Sequence, residues 1–256
     1  MIRFHPSIQK FGILSAIVAT QLTGGWLTAV QASPLLLAQL NFPDSPGGDG
    51  PKRTAGAGTR GECSLRASDS HEMTVLMPSN NIGTTTDANT SLFIYIPQVA
   101  VKGAELTGVT GDLIVVDENN REQFFGEFTL SDRLTESDGI VKLTLDGVNL
   151  EPDRTYRWSF SPYCMVADRD GDGMSDRIPT LELQGQIQRI ALDSEQQEKL
   201  TDAQTMFEQA AIYIEAGIWN DAIDILANLR TTHSDDWQTF LESVGLEHLA
   251  NTPIYL

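Results

Sequence analysis

The stretch Gln123-Phe-Phe-Gly-Glu-Phe-Thr-Leu130 sets Phe124, Phe128 and Leu130 on one parity of an extended chain. Alternate residues of a β-strand face opposite sides of a sheet, so this spacing describes a half-buried strand. The same period recurs in Ile140–Leu145, where Val141, Leu143 and Leu145 share a face. Further β-prone runs lie at Glu72–Met77, Ser91–Ile96, Asp112–Asp117, Thr155–Ser161 and Leu181–Ile190, about seven candidates in all. Asp138-Gly139, Asp146-Gly147 and Glu118-Asn-Asn-Arg121 separate them as turns. No helical pattern of about 10 to 15 residues comes between these runs, so a parallel βαβ architecture is disfavoured and an antiparallel β-sandwich is expected over residues 63–190. The immunoglobulin arrangement is not indicated, because Trp158 shares a strand with Cys164.

One motif argues for a different fold. Gly56, Gly58 and Gly61 in Arg53-Thr-Ala-Gly-Ala-Gly-Thr-Arg-Gly-Glu-Cys63 have the Gly-x-Gly-x-x-Gly spacing that cradles a pyrophosphate. Such glycines must follow a buried strand and open a helix. Here a Pro/Gly-rich stretch precedes them and Cys63-Ser-Leu-Arg-Ala-Ser follows, with no amphipathic face. The glycines are therefore read as close backbone packing, with a small anion-binding concavity beside Lys52, Arg53 and Arg60 as the functional option.

At Asp193 the period changes. Ser194 and Gln197 suggest a capping box, and Leu200, Ala203, Phe207, Ala210 and Ile214 repeat at helical spacing until Gly217. A second helix is expected with Asn220 as its cap and Ala222, Leu226 and Leu229 inward. A third is expected from Ser234, with Trp237, Leu241 and Val244 inward. Residues 191–256 thus form a three-helix C-terminal region, giving an α+β chain. Ala210, Tyr213, Gly217, Trp219 and Ala222 fall where a tetratricopeptide repeat places its packing residues. A single repeat cannot bury its own face, so the helices are expected to pack on the sheet, on the third helix or on a protein partner, for which Phe207, Tyr213, Trp219 and Trp237 are the candidate contacts.

The N-terminus assigns a compartment. Arg3 and Lys10, the apolar run Phe11–Ala19 and Val30-Gln31-Ala32 describe a secretory signal peptide over residues 1–32. Its apolar run is too short to span a bilayer, so no membrane span is expected after cleavage. Residues 33–62, rich in Pro and Gly, are expected to be a linker. The 17 basic side chains less Arg3 and Lys10 leave 15 against 35 acidic, a net charge of −20 that disfavours nucleic acid as a partner. Cys63 and Cys164, 101 residues apart, are expected to pair as a structural disulfide in an oxidising compartment.

Asp168-Arg-Asp-Gly-Asp-Gly-Met-Ser-Asp176 is the strongest local chemical signal. Such a loop can gather Asp168, Asp170 and Asp172, the Met174 carbonyl and Asp176 around a hard cation, calcium being the natural one. It resembles the loops of thrombospondin type 3 and dockerin repeats. Pro179 stands where a bidentate acid is expected, so weak binding is implied; a solvated acidic turn is the alternative. No catalytic set is nominated: His71, His233 and His248 lack metal-ligand spacing, and there is no Gly-x-Ser-x-Gly.

The ordered set GAGTRGEC, Phe93-Ile-Tyr-Ile-Pro97, Gly139-Ile-Val-Lys-Leu143, YRWSFSPYC, AGIWNDAI and Trp237–Leu249 resembles the cyanobacterial domain of unknown function 928. The resemblance spans roughly residues 50–256 and implies an exported cyanobacterial protein without an established activity. The Asp-rich loop departs from the shorter acidic turn usual in that family. The expected function is a non-enzymatic, exported binding module that docks a protein through its C-terminal helices. The alternative is a cell-wall or polysaccharide hydrolase using two acidic side chains in a cleft.

Overall fold

In the computed structural model, residues 40–43, 63–65, 72–101, 105–130, 132–168, 171 and 173–255 are described. The signal-peptide segment, the Gly56–Gly61 motif and the loop residues Asp170 and Asp172 lie outside that set. The strands run β1 (Cys63–Leu65), β2 (Thr74–Val75), β3 (Ile82–Thr85), β4 (Ser91–Ile96), β5 (Val99–Val101) and β6 (Leu106–Val116). They continue as β7 (Glu122–Thr129), β8 (Gly139–Thr144), β9 (Arg154–Val166), β10 (Asp176–Pro179), β11 (Leu183–Arg189) and β12 (Ile254–Tyr255). Between β11 and β12 lie α1 (Ser194–Asp202), α2 (Met206–Glu215), α3 (Trp219–Leu229) and α4 (Ser234–Glu242).

The two long strands β6 and β9 form the centre of a six-stranded sheet ordered β3-β11-β9-β6-β7, with β10 also paired to β9. A four-stranded sheet runs β12-β8-β4-β2, and β1 pairs with β5. Alternation along β9 buries Tyr156, Trp158, Phe160 and Cys164 and leaves Arg157 exposed, as period two requires. The chain is α+β, but two expectations are corrected. There are more strands than about seven, and β3 pairs parallel to β11 while β12 pairs parallel to β8. Parallel neighbours need long crossover connections, so their pairing leaves no turn signal in the sequence.

The helical expectations are corrected in detail. The first helix is capped by Asp193 with Gln196, whose side chains and backbone N–H groups satisfy one another, rather than by Ser194 with Gln197. A second capping box, Thr205 with Glu208, opens α2 and splits the expected single helix at Ala203. Four helices therefore stand where three were expected. Between α2 and α3 the chain turns at Gly217, whose φ of 71° suits glycine. Gly217 and Ile218 donate to the carbonyls of Ile214 at 3.0 Å and Tyr213 at 2.8 Å, the Schellman pattern that closes α2.

Sheets and helices share one core. Trp219 stacks on Phe240 at 4.6 Å, and Phe42 meets both rings edge-on, at 5.0 Å from Trp219 and 6.3 Å from Phe240. The Phe42 N–H donates to Ser243 Oγ at 3.0 Å. So within the stretch expected to be a linker, Leu40–Pro43 is packed against the helices. The change from strand to helix near residue 190 is a change of period, with no break in the packing.

Cys63 and Cys164 are bonded, with Cα atoms 6.0 Å apart and both residues buried. The bond ties β1 to the central strand β9 across a separation of 101 residues. A cross-link of that span removes loop entropy from the unfolded chain. Replacing both cysteines by serine should lower the unfolding free energy by about 2 to 5 kcal/mol in a urea titration; an unchanged midpoint would show the bond to be without structural weight.

Candidate functional site: a polar cleft between sheet and helices

Three consecutive residues at the start of α3 fasten it to the strands. The Trp219 backbone N–H donates to Thr84 Oγ1 at 2.9 Å, and its indole N–H donates to the Leu76 carbonyl at 2.9 Å. Asn220 Nδ2 donates to Thr90 Oγ1 at 3.1 Å and to the Ser91 carbonyl at 3.0 Å. Its Oδ1 lies only 2.3 Å from where a Cβ on Gly83 would sit, so glycine is required there for this close approach. Asp221 accepts from the Thr86 hydroxyl at 2.7 Å and the Thr86 N–H at 3.2 Å. Asn220 is therefore an interior bridge between helix and strand, in place of the expected helix cap.

Where α2 and α3 lean over β4, β8 and the loop after β3, a cleft of about 390 Å³ is left. Asp87, Asp146, Asp221 and Asp224 line it with Lys142, Gln209, Tyr213 and the hydroxyl residues Thr85, Thr90 and Ser91. Lys142 forms an ion pair with Asp224 and lies 5.8 Å from the Phe93 ring centre. Burial pushes the Asp221 carboxyl above its usual range, and the Thr86 and Thr85 hydrogen bonds oppose that shift without cancelling it. Burial also raises the Tyr213 phenol, with the Asp221 charge adding to the effect. Asp221 and Asp224 are three apart on a helix and so face the same side, yet one is desolvated and the other is salt-bridged.

The residues singled out from sequence are dispersed. Tyr213 lines the cleft, and half-buried Phe207 stacks on His233 at 4.8 Å. Trp219 and Trp237 are corrected from partner-facing to interior: they are 1% and 2% exposed, and the Trp237 indole N–H donates to the Ala250 carbonyl at 3.1 Å. Asp168 accepts from the N–H groups of Gly171 at 2.6 Å and Gly173 at 2.8 Å, Met174 is exposed and Asp176 begins β10. Among the described residues no helix is long and apolar enough to cross a membrane. The cleft acids escaped the sequence reading, although Asp221 and Asp224 at a three-residue spacing, the two charged residues of a largely apolar helix, were the signal for them.

The family model described as Domain of Unknown Function (DUF928) matches residues 55–254, most of the chain. The chain belongs to that family. No curated protein matches it. A solved structure described as the crystal structure of the C-terminal domain of wzt is similar at 10% identity, over 53% of this chain and 81% of that one, with a TM-score of 0.29. The cleft of this DUF928 protein rests on residues within the matched span, since Thr85 and Ile225 both fall inside it.

Asp221 sets a pH dependence. Its folded pKa lies above the ordinary 3.8, so the folded state holds this proton more tightly than the unfolded chain does. Stability from this group is greatest below that ordinary value and falls as pH rises through it to the raised folded value. Asp221→Asn removes the titration, so urea midpoints of the variant should gain on the wild type across that interval and run parallel to it outside. A difference that is flat with pH, or that moves the other way, would contradict the assignment.

Proposed function

We propose that this DUF928 protein is an exported, non-enzymatic binding module whose ligand surface is the cleft between the sheet and helices α2 and α3. The observation that carries the reading is the cleft itself: an open, hydroxyl- and carboxylate-lined space of about 390 Å³ with the half-buried Tyr213 in its wall. A protein partner would contact the adjoining face of α2, where Met206 is 51% exposed and Phe207 is half-buried. Export is supported by the charged and apolar N-terminal segment and by the Cys63–Cys164 bond, which an oxidising compartment preserves. The α2–α3 pair is read as tetratricopeptide-like because small Ala210 and Ala222 are both fully buried, as is Trp219. The two larger sheets are read as a β-sandwich because buried residues of both belong to one cluster.

The test is capture of a partner from a periplasmic extract by the purified protein and by a Met206→Glu, Tyr213→Ser variant that folds normally. A species retained by the wild type and lost from the variant is expected. No retained species, or equal retention by both, would sink the reading.

The Asp168–Asp176 loop is a separable calcium proposal. Asp168 closes the loop through the Gly171 and Gly173 N–H groups, which supports a turn whose alternate carboxylates can meet one cation. Calorimetry should show calcium binding by the wild type that is lost in Asp170→Ala, and silence in both would end the proposal.

One observation favours the hydrolase alternative: Asp221 and Asp224 line one cleft, the first with its carboxyl raised by burial and the second ion-paired with Lys142. The binding reading is preferred because the Asp221 oxygens are engaged by Thr86, which makes the group a structural tie. Polysaccharide turnover by the wild type, abolished in Asp224→Asn, would reverse the preference.

A further inference from the structure

The two ends of the six-stranded sheet are finished differently. At one end β3 is covered by the α2–α3 junction: the Thr84 hydroxyl donates to the Gly217 carbonyl at 2.6 Å and accepts the Trp219 N–H at 2.9 Å. At the other end β7 pairs with β6 and, among the described residues, with no strand on its far side. Sheet edges are usually kept apart by proline, lysine or a bulge. β7 has no proline and no lysine, and its register with β6 shifts only at its start, between Glu122 and Phe124, leaving Phe124–Thr129 regular.

Its backbone can be oriented from one contact. The Leu130 N–H donates to the Val109 carbonyl of β6 at 2.8 Å. In an antiparallel ladder alternate residues turn their N–H and C=O groups to opposite sides, so Phe124, Gly126 and Phe128 bond to β6. Phe125, Glu127 and Thr129 then present theirs to the open side.

The side chains are self-complementary about Gly126. Phe124 and Phe128 stand two residues either side of it, and their rings close over it: a Cβ at Gly126 would fall 2.8 Å from one and 2.9 Å from the other. Both rings are only half-buried, and Phe125 on the opposite face is 50% exposed.

We propose that β7 is a homodimer interface, pairing antiparallel with β7 of a second copy about a twofold axis at Gly126. In that register Phe125 and Glu127 of one copy exchange backbone hydrogen bonds with Glu127 and Phe125 of the other, while Phe124 of each packs beside Phe128 of its mate. A second copy is the occupant because the pattern reads alike in both directions from Gly126. Directly across, Glu127 meets a phenylalanine, and Arg177, 3.4 Å from its Oε1, offsets the diagonal Glu127 of the second copy in a chain of net charge −18.

Sedimentation velocity on the purified protein from about 1 to 200 µM tests this. The mean mass should rise from one chain to two with concentration. Glu127→Pro removes an N–H that faces the open side and costs β7 no bond to β6, so it should weaken association at least about tenfold while leaving the thermal midpoint at low concentration in place. Phe125→Lys, which puts a charge on the edge, should do the same and decides the matter if the proline variant does not fold. A wild type that stays at one chain throughout, that assembles beyond two, or that associates no better than a folded variant would overturn the proposal.

Discussion

The structure depends on the first turn of α3, where Trp219, Asn220 and Asp221 each send a polar contact into a different part of the strands. Trp219 reaches β3 and the segment before it, Asn220 reaches the start of β4, and Asp221 holds the turn between them. A buried polar group left unpaired costs about 1 to 3 kcal/mol, so each contact fixes the helix at one position and one rotation. The apolar cluster of Trp219, Phe240 and Phe42 supplies burial energy but is far less directional.

The cleft follows from that fastening. With α3 held by its first turn, its next exposed turn carries Asp224 and Ile225 across the face of the four-stranded sheet, where Lys142 meets Asp224. A gap lined by side chains of fixed orientation results. Asp221 stays in the gap's wall at an electrostatic cost, because its tie to Thr86 needs an acceptor and its half-buried position weakens its hydration. The same fastening covers the β3 edge of the large sheet and leaves β7, among the described residues, as its open end.

What the sequence made legible was whatever depends on neighbours along the chain. The alternation in Val141, Leu143 and Leu145 appears as three buried side chains, and Gly217 ends α2 at the expected residue. The paired cysteines were legible because only two exist. Asn220 shows where this fails: the same amide can cap a helix or reach into a sheet, and only the distant Thr90 and Ser91 decide. Strand β3, Ile-Gly-Thr-Thr, carries one bulky residue and resembles a turn, yet its glycine is what admits the Asn220 oxygen. Trp237 and Trp219 looked available to a partner because their own carbonyl acceptors, at Ala250 and Leu76, lie elsewhere in the chain. The cleft, built from residues between Thr85 and Ile225, could be assembled only once the topology was known.

The central claim is that sheet and helices are one cooperative body joined at the start of α3. Residue-resolved hydrogen exchange across a series of low urea concentrations tests it most directly. The slow amides of α3, β4 and β9 should converge on a single opening free energy and respond to urea with the same slope. Amides of α3 exchanging through a separate opening, several kcal/mol below that of β9 and with a smaller slope, would contradict it.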